Sequence, residues 1–145
     1  TKFREHYNSE LANGLGNFTA RVLALGEKLG EIAVDIKKET AKETSKAVEG
    51  ARKEIEKKLS EFKFHEAIAA VWRVISYGDS YVNEEKPWEK ENREAVVNLI
   101  VILDNLGSLL QPFLPETADK ITDSIVWLDK KTLRVKKIAN LFPRI

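Results

Sequence analysis

The chain has 145 residues and 16.5 kDa, enough for one domain that buries roughly 70% of its unfolded surface and needs neither a disulfide nor a structural metal to hold a core. It contains no cysteine, which excludes disulfide frameworks, thiolate zinc sites, iron–sulfur clusters and cysteine nucleophiles and is compatible with a reducing cytosol. A formal net charge of +1 provides no global field, so any polyanion has to be met by a local patch of polar and basic groups.

There is no methionine either, so Thr1 is not expected to be the translated start and the chain reads as a piece of a larger polypeptide. No signal peptide is visible. Residues 3–29 place Tyr7, Leu11, Leu15, Phe18, Val22, Leu25 and Leu29 at steps of three and four, the spacing of an amphipathic helix. Gly14 and Gly16 lie inside that pattern, where each costs about 0.5–1 kcal/mol relative to alanine, so a close approach by a neighbouring helix is expected there. Residues 31–40 read as a loose connection. From Ala41 to Phe62 the sequence is rich in Lys and Glu, with Val48, Ala51, Ile55, Leu59 and Phe62 as a narrow apolar stripe. A solvated helix laid on a bundle is the simplest reading, because glutamates interspersed among the lysines would repel a phosphate backbone.

The next helix is expected from about Phe64 to Asn83, with Phe64, Ile68, Val71, Trp72, Ile75 and Val82 facing inward and a polar run before Pro87 marking its end. Residues 95–115 hold the most apolar run, but Asn98, Asp104 and Asn105 interrupt it. It therefore reads as the central helix of a bundle, from about Arg93 to Gln111, and not as a membrane span. Pro115 with Glu116 after it favours the start of a short helix. The remaining tail alternates weakly and carries a late proline, so extended or irregular chain packed along the bundle is expected. The fold class is all-α: one domain, a bundle of about five helices with an irregular C-terminal tail.

Catalytic machinery is not legible. His6 and His65 fall on separate helices without further spaced ligands, no phosphate-binding glycine loop is present, and nearly all carboxylates lie in Lys/Glu-rich faces. Two features share another chemistry. Asn17 and Arg21 are four apart on the first helix and emerge on one face, offering an amide and a guanidinium to the hydrogen-bonding edge of an unpaired base. Trp88 follows Pro87 in the polar stretch 81–91, where it either folds back on the core or waits for a flat ligand to stack upon it. Spacing leaves both readings open.

The segments "YNSELANGLGNFTARVLAL" (7–25), "SYVNEEKPWEKE" (80–91), "QPFLPETADKI" (111–121) and "LFPRI" (141–145) together resemble the anticodon-binding domain of class I methionyl-tRNA synthetases, in order and spacing over essentially the whole chain. The resemblance implies a non-catalytic helical bundle that recognises the CAU anticodon of methionine tRNA, with the catalytic domain of the same cytoplasmic polypeptide as its other partner and neither DNA nor membrane involved. It implies that Asn17, Arg21 and Trp88 contact the anticodon, with Trp88 stacked on the first base, and that Pro87 and Asn83 support the site, Pro87 opening a helix that presents the indole. No cofactor is implied in this segment, since ATP and methionine belong to a catalytic domain whose signatures, His-Ile-Gly-His and Lys-Met-Ser-Lys-Ser, are absent. There are departures: the family often has Asn where this chain has Asp79, and Asp or Glu where it has Asn83.

Overall fold

The computed structural model describes residues 14–87, 89 and 92–137. Among them are six helices and a small sheet: α1 (Asn17–Leu29), β1 (Ile32–Ala33), α2 (Ile36–Glu39), α3 (Lys42–Ser60), α4 (Phe64–Glu85), α5 (Arg93–Leu110), α6 (Pro115–Ser124), β2 (Ile125–Trp127) and β3 (Thr132–Val135). α5 is the hub, packed against α1, α3, α4 and α6. Its sequence explains why: apolar residues surround it, so Leu99, Ile102, Leu103 and Leu106 are all completely buried, each worth about 1.5–3 kcal/mol of transfer free energy. Asn92 caps its start by accepting from the Ala95 N–H at 3.1 Å.

The polar residues that interrupt the apolar run of α5 have distinct fates. Asn98, only 5% exposed, accepts from the Ala41 N–H at 2.7 Å and donates to the carbonyls of Glu39 and Glu94 at 3.1 and 3.0 Å. It thereby satisfies the chain ends between α2 and α3, which no helix ladder serves. Asn105 donates to the Val101 carbonyl and accepts from Arg52. Asp104 lines a narrow apolar cavity with Val97, Val101, Trp127 and Leu133, and burial pushes its carboxyl above the usual range.

Two segments carry more order than their sequences predict. The connection 31–40 contains β1 and the single-turn helix α2, and the tail folds into the antiparallel β2–β3 hairpin. These meet in a sheet of order β1-β3-β2, with Ile32 opposite Leu133 and Ile125 opposite Val135. Short strands of two to four residues carry almost no periodic signal of their own; they exist because their neighbours supply hydrogen-bond partners distant in sequence.

The α3–α4 hairpin also departs from expectation. Phe62 belongs to the predicted apolar stripe, yet α3 stops at Ser60 and Phe62 takes φ +59°, so its ring is 80% exposed. Phe64, predicted inward, opens α4 at the same tip and is 58% exposed. Periodicity continues through a chain reversal on paper, whereas the reversal itself rotates the side chain off the core. Along α3, Lys58 lies within 4.0 Å of carboxylates of Glu54, Glu61 and Glu66. This pairing fits a solvated helix. Among the described residues no helix is long and apolar enough to cross a membrane.

Candidate nucleic-acid interface

α1 meets α4 at a glycine. A Cβ on Gly78 would stand 2.6 Å from two ring atoms of Phe18, so α4 can receive that fully buried ring only because no side chain is present. One turn earlier, a Cβ on Gly14 would lie 3.1 Å from the indole of Trp72, which is the close approach expected at that glycine. From Gly14 beside Trp72 to Phe18 beside Gly78, the two helices run in the same direction.

This contact decides where the polar residues lie. At 3.6 residues per turn, Asn17 and Arg21 sit on one side of Phe18. Asp79 and Asn83, likewise four apart, sit on the side of Gly78 that carries Trp72. Because the two helices run in the same direction, these two sides border the same groove, and two polar stripes flank it. Asn17, Arg21 and Asn83 are exposed and Asp79 is half-buried. Burial raises the Asp79 carboxyl above its usual range while the positive charge of Arg21 opposes the rise, so the two groups sense each other across the groove. Within the described chain, none of these four side chains makes a hydrogen bond or ion pair, in contrast to Asn98 and Asn105.

The end of α4 differs from expectation. No helix begins at Pro87. Instead Lys86 adopts the left-handed region at φ 43° and caps α4, its N–H donating to the Val82 carbonyl at 3.0 Å, and Glu89 N–H returns to the Lys86 carbonyl at 3.0 Å. Proline has no N–H to continue the ladder, so the chain turns there, and Pro87 itself is buried. Trp88 lies outside the described residues. Tyr81, from the same sequence motif, leaves the groove and packs near Tyr77, with ring centroids 6.3 Å apart. Burial, with nearby Glu85, pushes its phenol up to about 12.

The structure therefore brings Asn17, Arg21 and Asn83 to one groove, with Pro87 at the end of the α4 segment that lines it. Asp79 was visible in the sequence only as a departure from the family pattern. Its four-residue spacing from Asn83, equal to that of Asn17 and Arg21, is the signal that could have singled it out.

Residues 41–141 match the family described as the anticodon-binding domain of tRNA ligase. The chain belongs to that family. The domain is 34% identical over 128 residues to the methionine–tRNA ligase of Thermococcus kodakarensis, covering 82% of this chain and 17% of that protein. It is 30% identical over 157 aligned positions to methionine–tRNA ligase 2 of Bacillus cereus, covering 99% of this chain and 29% of the relative. In fold it is similar to the free-state methionyl-tRNA synthetase of Mycobacterium tuberculosis, with a TM-score of 0.77 at 19% identity over 98% of this chain and 34% of that one. The anticodon-binding domain thus spans less than a third of the curated relatives it matches here. The family match includes Asp79, Asn83, Pro87 and Trp88 and starts after Asn17 and Arg21.

Proposed function

We propose that this anticodon-binding domain recognises the CAU anticodon of methionine tRNA on behalf of a cytoplasmic methionine–tRNA ligase, whose catalytic region, elsewhere in the polypeptide, binds ATP and methionine and attaches the amino acid. The domain does no covalent chemistry. Its task is to hold an unpaired loop by stacking and to read base edges by hydrogen bonds. Arg21 and Asn17 address the polar edge of the first anticodon base, Trp88 supplies the stacking face, and the turn at Pro87 together with Asn83 at the end of α4 supports that arrangement.

The observation that carries the reading is the α1–α4 groove, where amide, guanidinium and carboxylate groups stand together without internal partners. Polar side chains left unpaired on a folded surface are equally content in water, but their convergence beside a fixed helix–helix contact is what an edge-reading site requires. The relatives named as methionine–tRNA ligases supply the choice of amino acid.

Titration of anticodon stem-loop RNAs into the domain tests this. Trp88→Ala is expected to weaken binding to every loop by about 1–3 kcal/mol, the worth of one stacked base. Arg21→Ala is expected to narrow the preference for cytosine at the first position, with no change in thermal unfolding. Binding by Arg21→Ala equal to wild type for all first-position bases would show the site assignment to be wrong. A wild-type preference for an anticodon other than CAU would assign the domain to a different ligase.

A further inference from the structure

We infer that Asp79 is a specificity-determining residue of this groove, forming with Arg21 an acceptor–donor pair complementary to the Watson–Crick edge of cytosine and opposed to that of uracil. The inference rests on the anticodon reading proposed above and gives a role to the groove's carboxylate, to which that reading assigns none.

Along its pairing edge cytosine presents an amino donor and then two acceptors, N3 and O2. An ionised carboxylate beside a guanidinium offers the reverse order, acceptor and then a fork of donors. Uracil carries a carbonyl oxygen where cytosine has the amino group, and a donor at N3. Its O4 would face the carboxylate oxygens with no proton between them, and a partly buried acceptor left unpaired disfavours that ligand. The other two groups in the groove cannot impose this polarity. Asn17 and Asn83 are amides, able to turn either a donor or an acceptor to the base. Arg21 can only donate, and Asp79 can only accept.

The placement comes from packing. Phe18 seated on Gly78 fixes α1 against α4, and the shared direction of the two helices, from Gly14 beside Trp72 to Phe18 on Gly78, fixes which sides border the same groove. Arg21, three residues from Phe18, and Asp79, next to Gly78, are brought to the same stretch of the groove, close enough for the charge of Arg21 to act on the Asp79 carboxyl. They nevertheless do not close into an ion pair, so both remain available. Asp79 is half-buried and has already given up part of its hydration, which lowers the desolvation cost of accepting from a base.

The test uses the 145-residue chain and three anticodon stem-loop RNAs that differ only in the first anticodon base: cytosine, uracil, or pyrimidin-2-one, which is cytosine without its amino group. At neutral pH the wild type should bind the cytosine loop roughly tenfold more tightly than the pyrimidin-2-one loop, with uracil weaker still. Asp79→Asn, whose amide can present either group, should still bind loops but bring cytosine and uracil to within about threefold of each other. Equal wild-type binding of the cytosine and pyrimidin-2-one loops overturns the inference without recourse to any variant, so a misfolded Asp79→Asn cannot hide its failure. An unchanged cytosine-to-uracil ratio in folded Asp79→Asn overturns it as well. Failure of the wild type to bind any of the three loops overturns the proposed function, and the inference with it.

Discussion

Gly78 and Gly50 offer a matched test of how the groove is built, because both lie inside long helices and alanine at each should move stability in opposite directions. Alanine is favoured over glycine in a helix interior by about 0.8–1 kcal/mol. At Gly50, on α3, a Cβ would meet nothing within 4 Å, so the gain should appear in full. At Gly78 the same Cβ would stand 2.6 Å from Cε1 and Cζ of Phe18 and 3.4 Å from Cγ2 of Ile102. Phe18 is completely buried and has no free space to swing into, so α1 must lift from α4. Overpacking of this kind costs about 1–3 kcal/mol; a 2.6 Å approach to a fully buried ring places this site in the upper part of that range, about 2–3 kcal/mol, and after the helix-propensity gain the net loss is about 1–2 kcal/mol. With an unfolding entropy near 2.1 cal/mol/K per residue, a domain of 145 residues shifts its Tm by about 3 °C per kcal/mol. Gly50→Ala should therefore raise the Tm by about 2–3 °C and Gly78→Ala lower it by about 3–6 °C, followed by far-UV circular dichroism. Gly78→Ala should also weaken the proposed cytosine preference, since it moves Arg21 away from Asp79. A Gly78→Ala domain as stable as wild type would refute the idea that this glycine sets the helix spacing.

Asn98→Ala should lower the stability measured by urea denaturation by about 2–4 kcal/mol, because it leaves the Ala41 N–H and the Glu39 carbonyl without their buried partner; a loss below about 0.5 kcal/mol would mean that water replaces the amide. Asp104→Asn should raise the Tm at neutral pH. Burial raises the folded pKa of Asp104 above its ordinary 3.8, so the stability from its neutral form is present below pH 3.8 and is lost as pH rises through the folded value. The advantage of the amide should accordingly vanish in thermal scans at acid pH, and a pH-independent advantage would count against burial as its cause.

The sequence alone determined the helices with strong period and clear stops. α5 was legible from its apolar run, α6 from Pro115 at its first turn, and the inward faces of α1 and α3 from Phe18, Val22, Val48 and Ile55, all of them buried. Local chemistry also singled out Asn17 and Arg21 as a pair on one face, because a helix of known period needs no partner to align residues four apart. Tertiary structure decided the rest. The three short strands required hydrogen-bond partners distant in sequence, the tip residues Phe62 and Phe64 turned outward because a chain reversal interrupts the helical phase, and Lys86 and Pro87 formed a turn where a helix start was expected. The groove was decided at the same level. Which side of α4 receives α1 depends on a missing Cβ at Gly78 and on the fit of one phenyl ring, and only that fit brings Asp79 and Asn83 beside Asn17 and Arg21. Sequence period places side chains on the face of one helix; the steric complementarity of two helices chooses which faces meet.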